Sequence, residues 1–418
     1  MKRFVVSLVV VLSTVASAQS VKQFIDAAES ANVDRQISIE QRNKAAADYR
    51  AAWTGLFPSL TVSGGWTHNQ VTAQFTNPLN GQTTVIVPQD QFDANFRVEM
   101  PLIDTGRWFR AMAAATAEES AAIREQVTRD LVRRQVVASY YGYSAALALR
   151  ESAKKSAAVA LEQLKLMEIR ANVGTVTELD LLRAKAEAAR TKQTVADSES
   201  LVATSRRTLR TLSGLEPPDS LAMQEDDLTA AEALERLEAR VDEVPAVQAA
   251  DKDAQASAKL ATASKLALVP IVSAQFTERL TNATGFQGQA STYNTGINLV
   301  WRIDVPTFMN MQSQSSNEQV ARLAVDRARL VARDQINSDW QRLQASLIKV
   351  EAAKAQVEAA RRATQVARDR YAAGAATQVD VIQAERDVFS AEVGQIQART
   401  ELASARASLK ISAALPLE

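Results

Sequence analysis

Two short stretches hold the residues best placed to do chemistry. Residues 170–187 read RANVGTVTELDLLRAKAE, and residues 370–387 read RYAAGAATQVDVIQAERD. In each, a glycine (Gly174 or Gly374) is followed by Thr, an apolar residue and then an aspartate, Asp180 or Asp380, at the same distance from its glycine. A glycine in a short polar link between two helical runs is the usual way to reverse the chain. If several copies gather around an axis, the hairpin tips share one ring and the two aspartates become carboxylate rings. Rings of that kind select cations and resist closure unless bridged.

Material for catalysis is scarce. His68 is the only histidine and there is no cysteine, so a Ser/His/Asp relay, a thiol nucleophile and a histidine- or thiolate-based metal site all lack ligands. Neither common glycine-rich phosphate loop occurs. The adjacent acids Asp226 and Asp227 lie in an acidic linker, where such pairs are ordinarily solvated. Lys and Arg number 48 against 48 Asp and Glu, a balance that does not suit nucleic acid. The chain is read as a non-enzyme with no cofactor and no metal.

The elements that must position these residues come as one unit written twice. Residues 58–101 and 270–306 each begin at a proline (LFPSLTVSGGW, LVPIVSAQF), carry two alternating stretches and end at a proline. Each is followed by a long helical run, the glycine break and a second run. In residues 92–100, Phe92, Ala94, Phe96, Val98 and Met100 alternate with Asp93, Asn95, Arg97 and Glu99 without exception. From 293 to 305 the same period places Tyr293, Ile297, Leu299, Trp301, Ile303 and Val305 on one side and Arg302 and Asp304 on the other. Strands of about ten residues with charge on one face and aromatics on the other fit a transmembrane barrel with a wet interior. Asp93, Arg97, Glu99, Arg302 and Asp304 are then lumen residues. Four strands cannot close a barrel, because single-chain barrels start at about eight, so an oligomer is required.

The leader supports export. Lys2 and Arg3 precede an apolar run from Phe4 to Val15, and Ala16-Ser17-Ala18 makes a cleavage site, which defines residues 1–18 as a signal peptide. The repeats then occupy 19–214 (strands about 58–101, helical hairpin about 107–213) and 215–418 (a linker, strands about 270–306, hairpin about 317–414). The fold class is mainly α with β. A helix of about 65 residues would be about 100 Å long, a coiled-coil length, and abundant alanine lets such helices pack closely.

Together the stretches AAWTGLFPSL and MPLIDTG, the two tips and the duplication resemble the TolC family of outer membrane efflux proteins. The resemblance covers the chain from residue 19 onward. It implies a homotrimer whose strands close one twelve-stranded barrel in the outer membrane and whose helices form a hollow α-barrel across the periplasm. It also implies that the tips constrict the entrance and dock a periplasmic adaptor protein, at Val173-Gly174-Thr175 and Ala373-Gly374-Ala375, with an inner-membrane pump beyond. Gating positions map to Tyr371, Asp380 and Asp180. An arginine common in the family two places after the second glycine is Ala376 here, and a second aspartate is Gln383, so the entrance is expected to be less tightly charge-gated. The second copy reads TFMNMQS after Pro306, without the glycine of LIDTG, which predicts a less regular turn there.

The resulting expectation is a passive exit duct of tripartite efflux or type I secretion, in the outer membrane and extending into the periplasm. The alternative from another class is a periplasmic coiled-coil structural or adaptor protein without a pore. It explains the helices equally well but not the four alternating strands. The transported substrate is chosen by the pump and is not written in this chain.

Overall fold

The computed structural model describes residues 20–221 and 227–416; the leader and Asp226 lie outside this set. In chain order the elements are α1 (Val21–Ala31), α2 (Val33–Thr54), β1 (Ser59–His68), β2 (Ala73–Thr76), β3 (Thr83–Val87), β4 (Asp90–Ile103), α3 (Thr105–Asn172) and α4 (Glu178–Ser213). They continue as α5 (Leu234–Glu238), α6 (Pro245–Lys265), β5 (Ile271–Thr281), β6 (Ser291–Val300), α7 (Val305–Ala372) and α8 (Gln378–Ser412). The chain is mostly helical. It divides into two compact units: one gathers the described residues up to Ile39, Glu125–Pro245 and those from Arg329 onward, and the other comprises Glu40–Arg124 and Ala246–Ala328.

The second unit holds the sheet. Its order is β1-β4-β5-β6, antiparallel throughout, so the two copies meet where β4 pairs β5. Register fixes the faces. Leu60, Val62 and Trp66 of β1 lie opposite Val98, Phe96 and Phe92, while Thr61 lies opposite Arg97 and Ser59 opposite Glu99. The apolar set continues through Phe276 and Ala274 to Ile297 and Leu299, and the polar set through Thr277 and Gln275 to Asn294. A separate β2–β3 hairpin fills the longer loop of the first copy, with Phe75 against Phe286 at 5.5 Å between ring centroids.

Two expectations about the second copy are corrected. β6 ends at Val300 rather than Val305, and α7 begins at Val305 rather than near residue 317. The reason is a cap: the Asp304 Oδ1 accepts hydrogen bonds from the Thr307 N–H at 2.9 Å and the Thr307 hydroxyl at 2.6 Å, satisfying a free donor of the first turn. Pro306 sits in that turn, where no partner for its missing N–H is needed. Asp104 performs the same task for α3 by accepting from the Arg107 N–H at 2.7 Å, but β4 runs on to Ile103 whereas residues 301–304 have no regular structure, so the passage into the helix is less regular in the second copy, as expected. Arg302 and Asp304, expected among the strand residues, therefore lie beyond the strand.

The first unit is stitched by two apolar clusters. α1 places Phe24, Ile25 and Ala28 against Val132, Val136, Tyr140 and Tyr143 of α3 and Leu209 of α4. Phe24 is fully buried, and its ring lies 5.6 Å from that of Tyr140. Burial of such a ring stabilises by roughly 1.5–3 kcal/mol. In the second cluster α5 contributes Leu237, packed with Ile336 and Leu343 of α7 and Leu402 and Leu409 of α8. The linker is pinned by polar contacts as well: the Tyr143 hydroxyl donates to the Pro218 carbonyl at 2.7 Å, and Trp340 Nε1 donates to the Glu232 carbonyl at 2.9 Å.

Candidate entrance site at the helical tips

Both tips are built alike. Gly174 and Gly374 have φ of 74° and 76°, the left-handed region that glycine enters without a Cβ penalty. Each closes its helix with a pair of backbone hydrogen bonds: the Gly174 N–H donates to the Ala171 carbonyl at 3.0 Å and the Thr175 N–H to the Arg170 carbonyl at 2.9 Å, matched by Gly374 to Tyr371 at 3.0 Å and Ala375 to Arg370 at 2.8 Å. This is the Schellman arrangement. The next helix then starts at a threonine cap.

Asp180 and Asp380 belong to those caps. The Asp380 N–H donates to the Thr377 hydroxyl oxygen at 3.3 Å, and Asp380 Oδ2 accepts from the Thr377 N–H at 2.7 Å and the Thr377 hydroxyl at 2.8 Å, a complete capping box. The hydrogen bonds from the Thr377 backbone and hydroxyl hold the Asp380 carboxyl below the usual carboxylate value, so it is charged at neutral pH. Its Oδ1 accepts no hydrogen bond among the described residues. Asp180 accepts from the Thr177 hydroxyl at 2.7 Å, and its Oδ1 faces Arg183 at 3.6 Å. The two aspartates thus differ: Asp180 shares its charge with an arginine, and Asp380 keeps one oxygen open. Val173, Gly174 and Thr175 and Ala373, Gly374 and Ala375 are all exposed at the tips.

Tyr371 is half-buried and ties the two hairpins together. Its hydroxyl oxygen accepts from Arg170 Nη1 at 3.2 Å and donates to Met167 Sδ at 3.8 Å, and the Arg170 guanidinium lies 5.6 Å from the ring centroid. Arg170 escaped the sequence reading, although a signal exists: it stands four places before Gly174 as Arg370 does before Gly374. Gln383 donates to Asp387 Oδ1 at 2.9 Å, along its own helix.

Further along the same helices, Glu187 of α4 is buried and accepts from two arginines. Arg190 reaches it from one turn away, and Arg386 of α8 donates from Nε at 3.0 Å and Nη2 at 2.6 Å. Burial pushes the Glu187 carboxyl up, but the hydrogen bonds and charges of Arg190 and Arg386 outweigh it and hold the group below its usual range. A second link joins α3 to α8, where the Ser152 hydroxyl donates to Glu392 at 2.6 Å while Arg361 of α7 donates to the same carboxylate at 2.7 Å.

On the polar face of the sheet, Asp93 pairs with Arg279 at 2.7 Å, and Arg97 and Glu99 carry the remaining charges without an ion pair among the described residues. Arg279 was missed because β5 alternates more weakly than β4. The opposite face exposes large apolar groups, including Ile297 at 73% and Leu60 and Leu299 at 65%. A continuous apolar surface of this kind marks contact with lipid or protein. Among the described residues no helix is long and apolar enough to cross a membrane, and no cluster of three or more acidic, His or Cys side chains could hold a metal.

The pattern that defines the outer membrane efflux protein family matches residues 25–215 and 234–414, nearly the whole chain. The chain belongs to this family. Outer membrane efflux proteins are TolC-like channels of the outer membrane, extending into the periplasm, that work with adaptor and pump partners, and they are not enzymes. Solved structures share the fold at low sequence identity. The CmeC outer membrane channel of Campylobacter jejuni is 16% identical with a TM-score of 0.81, over 95% of this chain and 86% of that one. The outer membrane protein VceC of Vibrio cholerae is 16% identical with a TM-score of 0.79, over 95% and 97%. The MtrE outer membrane channel of Neisseria gonorrhoeae, solved in its open state, is 14% identical with a TM-score of 0.77, over 94% and 89%. No curated protein sequence matches the chain.

Proposed function

We propose that three copies of this chain form a passive exit duct, each giving β1, β4, β5 and β6 to one twelve-stranded barrel and its two helical hairpins to a periplasmic tube. The observation that carries the reading is the sheet with one charged and one apolar face, both exposed, in a chain of the outer membrane efflux family. A closed barrel leaves no unpaired edge, and a trimer supplies the missing partners of β1 and β6. The two copies, 19–214 and 215–418, would each contribute one hairpin tip to the entrance. There Asp380, with Asp180 behind it, forms the acidic constriction; Tyr371 and Arg170 hold the hairpins together; and the exposed residues 173–175 and 373–375 receive the adaptor. Asp93, Arg97, Glu99 and Arg279 line the barrel. Opening splays the hairpins between two packed arrangements while the pump does the work.

The test is single-channel conductance of the detergent-purified protein in a planar bilayer, with its mass measured in the same detergent. A trimer giving cation-preferring steps is expected. Asp380→Asn should weaken the preference more than Asp180→Asn, whose charge Arg183 already shares. A well-folded particle without conductance would overturn the pore, and equal effects of the two substitutions would overturn the assignment of the constriction.

A further inference from the structure

We infer that the seam between copies pairs β6 of one chain with β1 of the next in a single register, with Tyr293 opposite Trp66, Ile297 opposite Val62 and Leu299 opposite Leu60. The inference rests on the trimeric barrel proposed above and specifies how it closes. Both edges are open within one chain, since β1 and β6 end the sheet. Their apolar residues lack the shielding that the inner strands receive: Phe96, Val98 and Phe276 are 36–38% exposed, whereas Val62, Trp66, Ile297 and Tyr293 are 60–74% exposed. Unpaired edges of this kind take up another strand.

Closure leaves few registers to choose from. Pairing within the sheet is continuous, so the row that enters at Val62 crosses Phe96 and Glu278 and leaves at Tyr293. When the barrel closes, Tyr293 meets a residue of β1 displaced from Val62 along the strand, and that displacement sets the strand tilt. It must be even, because an odd one would put the apolar residues of β6 beside the lumen residues of β1. With a rise of about 3.3 Å per residue and strands about 4.8 Å apart, displacements of two, four, six and eight residues per chain give tilts of about 19°, 35°, 46° and 54°. Membrane barrels tilt their strands by about 35–45°, which leaves four or six. Displacement by either amount toward Ser59 would leave at most two residues of β6 facing β1, so the shift runs toward His68. A shift of four pairs all ten residues of β1 with all ten of β6 and sets Trp66 against Tyr293. A shift of six strips two residues of each strand of their partners and puts Ile297 opposite Gly64. Full edge pairing and large apolar cross-strand pairs select four.

The chain has no cysteine, so engineered pairs report the register without background. In the full chain carrying Val62→Cys and Ile297→Cys, oxidation of isolated outer membranes should give disulfide-linked dimers and trimers on a denaturing gel. Within one chain these positions stand three strand spacings apart, at least about 14 Å and beyond the reach of a disulfide, so every link joins two copies. Thr61→Cys with Asn298→Cys reads the same register on the polar face and should link equally, which covers a first pair that disturbs insertion. Leu60→Cys with Ile297→Cys and Gly64→Cys with Ile297→Cys would lie directly opposite for shifts of two and six. At a shift of four they lie about 7–8 Å apart and should stay unlinked. Linking that is strongest at Leu60 or Gly64 would overturn the register and leave the trimer standing. No linking by any pair, in a conducting protein of trimeric mass, would overturn the seam of β6 on β1. A monomer without conductance would instead overturn the duct from which the seam is drawn.

Discussion

Glu187 offers the sharpest test of how the two hairpins of one chain are held together. Its side chain is 8% exposed and accepts from Arg386 across the helix pair, while the Arg386 side chain is 46% exposed. A hydrogen bond to a charged group contributes about 1.5–3 kcal/mol when sheltered. Exposure of the arginine reduces that toward the surface value of about 1 kcal/mol or less. Glu187→Gln should therefore destabilise by about 1–2 kcal/mol, with Arg190 recovering part of its hydration. A double-mutant cycle of Glu187→Gln with Arg386→Gln, read by thermal unfolding in detergent, should give a coupling of about 1 kcal/mol. The pH dependence has a definite sign. The Glu187 carboxyl is held below its usual 4.5, so the stabilisation is present above that value and fades as pH falls through the lower folded value. Between pH 7 and 5 the coupling should not change. A coupling of zero at pH 7, or one that rises on acidification, would refute the reasoning.

Three further outcomes follow from the same geometry. Phe96→Arg, on the apolar face, should impair membrane assembly by roughly 2–4 kcal/mol if its depth is near the midplane, whereas Asn95→Arg on the polar face should insert normally in the same assay. Thr377→Ala removes the cap of α8 and should cost about 1 kcal/mol of stability, with Thr377→Ser restoring most of it in thermal unfolding. Phe24→Ala empties a fully buried site between α1, α3 and α4 and should cost about 3–5 kcal/mol, measured as a lowered unfolding temperature without loss of conductance in the surviving protein.

The alternation of residues 92–100 was legible because β4 is flanked by β1 and β5, and both neighbours keep the same two faces. The alternation of residues 293–305 misled beyond Val300, since a period of two says nothing about where a cap such as Asp304 takes the chain into a helix. Glu278 was hidden for the opposite reason: it breaks the pattern of β5, and only the pairing with Phe96 and Tyr293 reveals its face. Helix ends at Gly174 and Gly374 were readable from local chemistry, because Schellman turns and threonine caps are written within a few residues. The link from Glu187 to Arg386 was not, because the packing offset between α4 and α8 leaves no local mark. The same holds for Arg170 and Tyr371, though the repeated arginine before each glycine hinted at a role.

The tip construction bears on how such a protein diversifies. Within each reversal the glycine, the threonine cap and the aspartate hold the backbone by bonds that stay inside a dozen residues; in the first tip the Thr175 hydroxyl adds a bond to the Arg170 carbonyl at 3.0 Å, whereas the side chains at 173 and 176 and at 373, 375 and 376 contribute none. Those five positions therefore lie outside the hydrogen bonds that set the reversals. Substitution there can change what the tips present to their neighbours, in one copy or both, while the joint beneath keeps its shape. Val173 and Val176 in the first tip stand against Ala373 and Ala376 in the second, so the two tips carry different surfaces on the same joint.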